Sequence, residues 1–248
     1  MNLRRAWTVI VLAVLVPGLT AAADVKIVKN RHTDAFTIMG HSQPAKDDQT
    51  VLWVGADRMR MESPQNTIIV RLDQKKMYIV DPAGKEYNVI DLPMDLNKIL
   101  PPGMGEQMLK MMEMTATVTP TDETKKIGKW ETRRWNVTLS SKMVQMQQTS
   151  WVTKDVPLDL AKYRNMVDQV VSLQPGMASA VKEMAKIDGL PVEQDTVTEM
   201  AMAGGDKMTS HEEVVSIDKV EAPAGTYDPP AGATAKPFSF ADLMRKKH

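Results

Sequence analysis

Between residues 50 and 92 the chain spells short extended segments with no length left between them for a helix. Residues 50–62 read as one extended stretch, near whose end Arg58, Arg60 and Glu62 alternate with Met59 and Met61, the period of two expected of a half-buried antiparallel strand. Ser63-Pro64-Gln65-Asn66 reads as a turn, residues 67–72 as a strand, Asp73-Gln74-Lys75-Lys76 as a second turn and residues 77–80 as a strand. Asp81-Pro82-Ala83-Gly84 carries the Pro and Gly chemistry of a tight turn, and residues 86–92 close the run. A parallel crossover needs a dozen or more residues, so these strands form an antiparallel meander.

The remaining segments extend this plan. Val25, Ile27, Phe36 and Ile38 bracket an earlier extended stretch. After Pro93, residues 95–100 and 103–112 suit two short helices, the second with Met104, Met108, Met111 and Met112 on one face. Strand character returns at residues 115–119, 130–140 and 143–153, with Trp135, Val137 and Leu139 sharing a side. Residues 157–173 place Leu160, Tyr163, Val167, Val170 and Val171 on one helical stripe, and residues 175–188 make a second helix closed by Gly189. A hairpin follows, residues 192–202 and 207–220 around Gly204-Gly205-Asp206. The expected class is α+β, dominated by one antiparallel sheet. Domain boundaries fall at 1–23, 24–222 and 223–248, the last a Pro/Ala/Gly-rich extended tail ending in a short helix from Phe238.

Residues 1–23 read as a secretory leader. Arg4 and Arg5 precede a ten-residue apolar run from Trp7 to Val16, and Ala21-Ala22-Ala23 offers a cleavage site. The run is short for a bilayer span of about 20 residues, so the expected product is periplasmic, cleaved near Ala23, with no stable membrane span. The chain has 31 basic and 31 acidic residues, a balance that argues against a nucleic-acid binder. It has no cysteine, which excludes disulfides, thiol redox chemistry and thiolate metal sites. Methionine is abundant, 20 residues against three phenylalanines, so flexible thioethers take over filling usually done by rings.

No constellation announces catalysis. His32, His41, His211 and His248 lie far apart in sequence and form no ligand pair. Asp47-Asp48 and Glu212-Glu213 lack the spacing of a calcium loop. There is no Gly-x-Ser-x-Gly elbow and no phosphate loop. We expect no catalytic residues, no metal site and no cofactor. The methionines around Met108, Met111, Met112 and Met114 leave three readings open: plain core, the lining of an adaptable apolar cavity, and Cu(I) binding by soft ligands. The strand tryptophans Trp53, Trp130, Trp135 and Trp151 serve sheet packing or a ligand groove.

The stretch Trp53-Val54-Gly55-Ala56-Asp57-Arg58-Met59-Arg60-Met61-Glu62, together with Thr67-Ile68-Ile69-Val70-Arg71-Leu72-Asp73 and Met77-Tyr78-Ile79-Val80, resembles bacterial periplasmic proteins of unknown function with a lipoprotein-carrier-like (LolA/LolB-like) fold. Trp151-Val152-Thr153-Lys154-Asp155-Val156-Pro157 and Ala224-Gly225-Thr226-Tyr227-Asp228-Pro229-Pro230-Ala231-Gly232 fit the same plan. The resemblance implies a half-barrel: a curved antiparallel sheet covered by helices on its concave side, with space for an acyl chain between them. The expected partner is therefore a hydrophobic small molecule or lipid, bound without catalysis. The expected cavity residues are Trp53, Ile69 and Trp135 on the sheet, Met108, Met111 and Met112 on the first lid, and Val167 and Val170 on the second. The alternatives are an envelope protein-interaction or stress component with no cavity ligand, and methionine-based copper binding.

Overall fold

A computed structural model of the chain describes residues 24–38, 40–201 and 206–239. The expected leader, the Gly204-Gly205 turn and all but the first two residues of the expected terminal helix lie outside the described residues.

β1 (Asp24–Thr33), β2 (Phe36–Ile38), β3 (His41–Gln43) and β4 (Lys46–Val54) form one long hairpin. β1 pairs with β4 from Val25↔Val54 to Thr33↔Lys46, and β2 pairs with β3 in the continuing register. Residues 50–62, read above as one stretch, are divided by a tight turn in which the Gly55 N–H donates to the Arg58 carbonyl at 2.9 Å. A side chain at Gly55 would meet the Arg58 side chain and the Asp24 carboxylate at 2.9 Å, so any larger residue here has to displace one of them. β5 (Arg58–Glu62), β6 (Thr67–Arg71), β7 (Lys76–Val80) and β8 (Glu86–Asp91) then complete the expected meander.

α1 (Leu96–Ile99) and α2 (Met104–Met112) lead into a second antiparallel series: β9 (Thr115–Ile127), β10 (Trp130–Ser140) and β11 (Val144–Thr153). α3 (Leu160–Ser172) begins at Asp159, whose carboxylate accepts from the N–H groups of Ala161 and Lys162, a side-chain N-cap. α4 (Ala178–Met184) is shorter than expected. Gly189 does not cap it. It stands at the entry to β12 (Leu190–Met200) with φ +142°, where a Cβ would lie 2.5 Å from the Thr153 carbonyl oxygen. β13 (Asp206–Val220) and β14 (Thr234–Pro237) end the described chain.

β13 returns to pair with β1 and joins the two series into one twelve-stranded sheet, ordered β14-β8-β7-β6-β5-β4-β1-β13-β12-β11-β10-β9. All neighbours are antiparallel except β14, which runs parallel to β8. The sheet is open, with β14 and β9 at its edges, and is not closed into a barrel. Strands hold 52% of the residues and helices 16%, so the helices are accessories to a mostly-β molecule. Among the described residues no helix is long and apolar enough to cross a membrane.

Register assigns the two faces. Val25, Val54, Met59, Val70 and Met77 are opposed in sequence across five strands. On this face lies α3, whose fully buried Met166 and buried Val170 pack with Val54 and Val70. The opposite face carries Trp53, Arg60, Ile69 and Tyr78 in another opposed row. There the tail folds back across the sheet, and Tyr227 packs on Ile69, Tyr78 and Val80. Arg60 donates to the Thr226 carbonyl (3.1 Å), Arg71 donates to the Asp228 carboxylate (2.7 Å), and the Arg58 guanidinium stacks 4.7 Å from the Tyr227 ring. The extended segment is thus a strap, and its end becomes β14.

Met166→Ala is expected to destabilise the protein by about 2–5 kcal/mol, the range for emptying a filled core position. Val197→Ala, on a more exposed strand position (38% exposed), is expected to cost less than about 1 kcal/mol. Denaturant midpoints of the two variants check this, and equal losses would contradict the burial assigned to α3.

Candidate functional site

Where α3 crosses the sheet, the contact is rich in methionine. Met59 and Met77 of the sheet and Met166 of the helix meet Leu52, Ile68 and Tyr163 around buried Val54, Val70 and Val170. Unbranched thioethers adopt several shapes at little cost, so such a seam repacks more easily than one built from rings or β-branched chains.

The apolar floor continues outward from under the helix. Leu52 belongs to the seam and, with its cross-strand partner Met61, also lines an open cleft of about 290 Å³. Thr50, Ser63 and Gln65 line the same cleft, and its rim carries Lys29, Arg31, Asp48 and Glu212. Period two explains the meeting: Lys29 and Arg31 follow Ile27 at alternate positions of β1, so they share the face of α3 while Asn30 and His32 point away. Lys29 Nζ is 2.9 Å from one Glu212 oxygen, and Arg31 Nε is 3.8 Å from the other. Burial raises the Tyr163 hydroxyl pKa, with Lys29 drawing it back and Glu212 adding to the rise. A smaller hollow of about 120 Å³ follows along α3, lined by Val25, Val54, Leu158 and Tyr163.

The residues expected to line one cavity fall in four places. Val170 is buried in the seam and Val167 is half-buried on the same helix. Met108, Met111 and Met112 are half-buried on α2. That helix packs on α1 and is followed by a Met114 N–H bond to the Gly176 carbonyl (2.8 Å). Trp135 shares the sheet face of α3 by register, but four strands beyond β1. It lines a separate cleft of about 530 Å³ with Arg133, Glu131, Asp155 and Asp188. Trp53 and Ile69 are on the other face: their register partners are Lys26, Arg60 and Tyr78, and Ile69 is buried under Tyr227.

Two further features of the α3 face matter. It carries a polar patch where β10, β11 and β12 adjoin, with Ser150 fully buried and accepting from Gln148 (2.8 Å) and Gln194 (3.2 Å). The buried apolar floor runs on past β1 through Val214 and Ile217 of β13 to Leu190 and Val192 of β12, with Leu160 and Tyr163 packed against it. Met166, absent from the expected stripe, lies at its centre; three residues after Tyr163 and four before Val170, it follows the helical spacing that the two framed.

Among the described residues no three His, Asp or Glu side chains are gathered as a preformed metal cage. No curated protein matches the sequence. One solved structure, described as the structure of PNGF-II in a C2 space group, is similar over 90% of this chain with 13% identity and a TM-score of 0.41. This chain spans about a third (32%) of that chain's length. The family model of a domain of unknown function, DUF4412, matches residues 37–233. The chain belongs to the DUF4412 family.

Proposed function

We propose that this is an exported, non-enzymatic protein of the periplasm that binds or carries an amphiphile, a lipid or acyl chain, in the manner of the lipoprotein carriers it resembles. The sheet is then a half-barrel with α3 on its concave side, and residues 1–23 are the leader removed after Ala23. The observation that carries the reading is the continuity of the apolar floor. Leu52 and Met61 lead from an open cleft into the methionine seam under α3, and Lys29 and Arg31 stand at the cleft's rim. An acyl chain entering at Met61 exchanges the self-burial of the seam for burial of its own methylenes, each worth roughly 0.8 kcal/mol. Its anionic headgroup meets the two basic side chains at the mouth.

Native mass spectrometry of protein purified without detergent, with lipid extraction from the same sample, tests this. The expected result is a co-purifying amphiphile, or uptake of an added fluorescent fatty acid. Met61→Glu, at a half-buried position, is expected to weaken that uptake at least tenfold while leaving the circular dichroism unchanged, and Arg31→Glu to weaken only anionic probes. An apo mass with no uptake of fatty acid or lysophospholipid sinks the reading. Copper in the sample, lost on replacing Met108, Met111, Met112 and Met114 together, would favour the thioether alternative.

A second reading, an envelope interaction module, has one specific observation behind it. β9 is a thirteen-residue edge strand, and an unpaired edge is a template for a partner's strand. The strand is packed against by α4, and from Pro120 onward it is blunted by that proline and by charged residues from Asp122 to Lys126. In-cell photo-crosslinking from Thr117 is expected to give a discrete adduct on this reading and none on the carrier reading.

A further inference from the structure

Four side chains form a row across four neighbouring strands on the face away from α3. Asp47 of β4 opposes His32 of β1, His32 opposes His211 of β13, and His211 opposes Asp195 of β12. The two histidines are 179 positions apart in sequence and directly opposite in space. His32 Nδ1 lies 2.7 Å from the Asp47 carboxylate, and His211 Nδ1 lies 2.8 Å from that of Asp195. In the neutral tautomer that gives its Nδ1 proton to the carboxylate, each ring has its Nε2 lone pair free for a ligand. Asp34, just past the end of β1, has a carboxylate oxygen 3.3 Å from His32 Nε2. The row opens on a cleft of about 460 Å³ that also takes in Asn30, Gln49 and Glu213.

We propose that His32 and His211 bind a divalent transition-metal ion of zinc type through their Nε2 atoms, with Asp34 as third ligand and water as the fourth. Asp47 and Asp195 are then the outer partners that orient ligating imidazoles and raise their basicity, an arrangement whose loss typically costs 10–100-fold in affinity. The spacing suits the ion. Directly opposed Cβ atoms lie about 4.5–5.5 Å apart, while two nitrogens on a tetrahedral zinc, each about 2.0–2.1 Å from it, stand about 3.3 Å from one another. Modest ring rotations join the two figures. The ligands are not gathered beforehand; both imidazoles and Asp34 are exposed enough to turn, at 43–59% side-chain exposure. Local charge favours a cation, with Asp34, Asp47, Asp195 and Glu213 set against Arg31. Two imidazoles and a carboxylate select zinc, copper(II) or nickel over the oxygen-preferring magnesium and calcium. The histidine row is on the face opposite α3, although the two clefts share Arg31 and Asp48 in their linings, and the proposal stands whether or not the amphiphile reading does.

Titration calorimetry with ZnCl₂ on tag-free protein tests the proposal. One equivalent is expected to bind, with an accompanying rise in melting temperature. His32→Gln and His211→Gln are each expected to weaken binding at least tenfold, Asp47→Asn and Asp195→Asn about 10–100-fold, and His41→Gln not at all. Zinc-free melting temperatures of the variants separate a lost ligand from a damaged fold. Binding to the His32→Gln/His211→Gln double variant as tight as to the unaltered protein overturns the proposal. So does equal saturation by MgCl₂, which would be attraction to surface acid alone.

Discussion

The pairing of β1 with β13, from Asp24↔Val220 to Thr33↔Ser210, is the contact on which the rest depends. Each series of strands closes locally through short turns, yet each ends with an unpaired edge and half a core. Joining them buries Ile27, Ile217, Val214, Leu190 and Val192 in one cluster. The same contact sets Lys29 against Glu212 and His32 beside His211. Because the strands are separated by most of the chain, their closure carries the loop entropy of a non-local contact, and the local meanders must supply preformed surfaces for it.

A single extra residue makes that contact work. Val28 pairs with Ser216 but Lys29 pairs with Val214, which leaves Val215 bulged and exposed. In an unbroken strand Val214 and Ile217, three positions apart, would point to opposite faces. The bulge sends both into the core and lets Glu212 share a face with Ile217. Without it, one-residue parity would bury charge on one side or expose isoleucine on the other, the penalty that fixes register in half-buried sheets.

The order of local elements was legible because it rests on local chemistry. Pro-Gly turns, the Met59/Met61 alternation and the Tyr163–Val170 spacing each act within a few residues, and β10 falls within its expected bounds, residues 130–140. The Gly55 turn was hidden because Trp53, Val54 and Ala56 keep the apolar character of a continuous strand across it. What was not legible was which residues meet. Trp53 and Ile69 are apolar strand residues like Leu52 and Val70, and only the register decides that the first pair lies under Tyr227 and the second under α3. The histidine pair was invisible for the same reason: no spacing rule links positions 32 and 211 until β1 and β13 are known to be neighbours. Composition showed only part of the strap, since Pro and Gly mark residues 223–237 as extended without revealing that Tyr227 and the arginines beneath it hold the segment down.

On the amphiphile reading, the hold on α3 explains why a methionine seam would suit exchange. A thirteen-residue helix is marginal in water even with a good N-cap, so the Asp159 cap alone does not keep α3 formed; its apolar face must stay covered. Val54 and Val70 supply a stiff base, while Met59, Met77 and Met166 supply side chains that can change shape. Leu52, where the cleft joins the seam, stands across from Met61, and Met59 is two positions further along the same strand as Met61. On the amphiphile reading the helix is never stripped bare during entry: each contact with the sheet that opens is replaced by one with the ligand. An aromatic seam would have to open as a block, and that cost would fall before any methylene was buried.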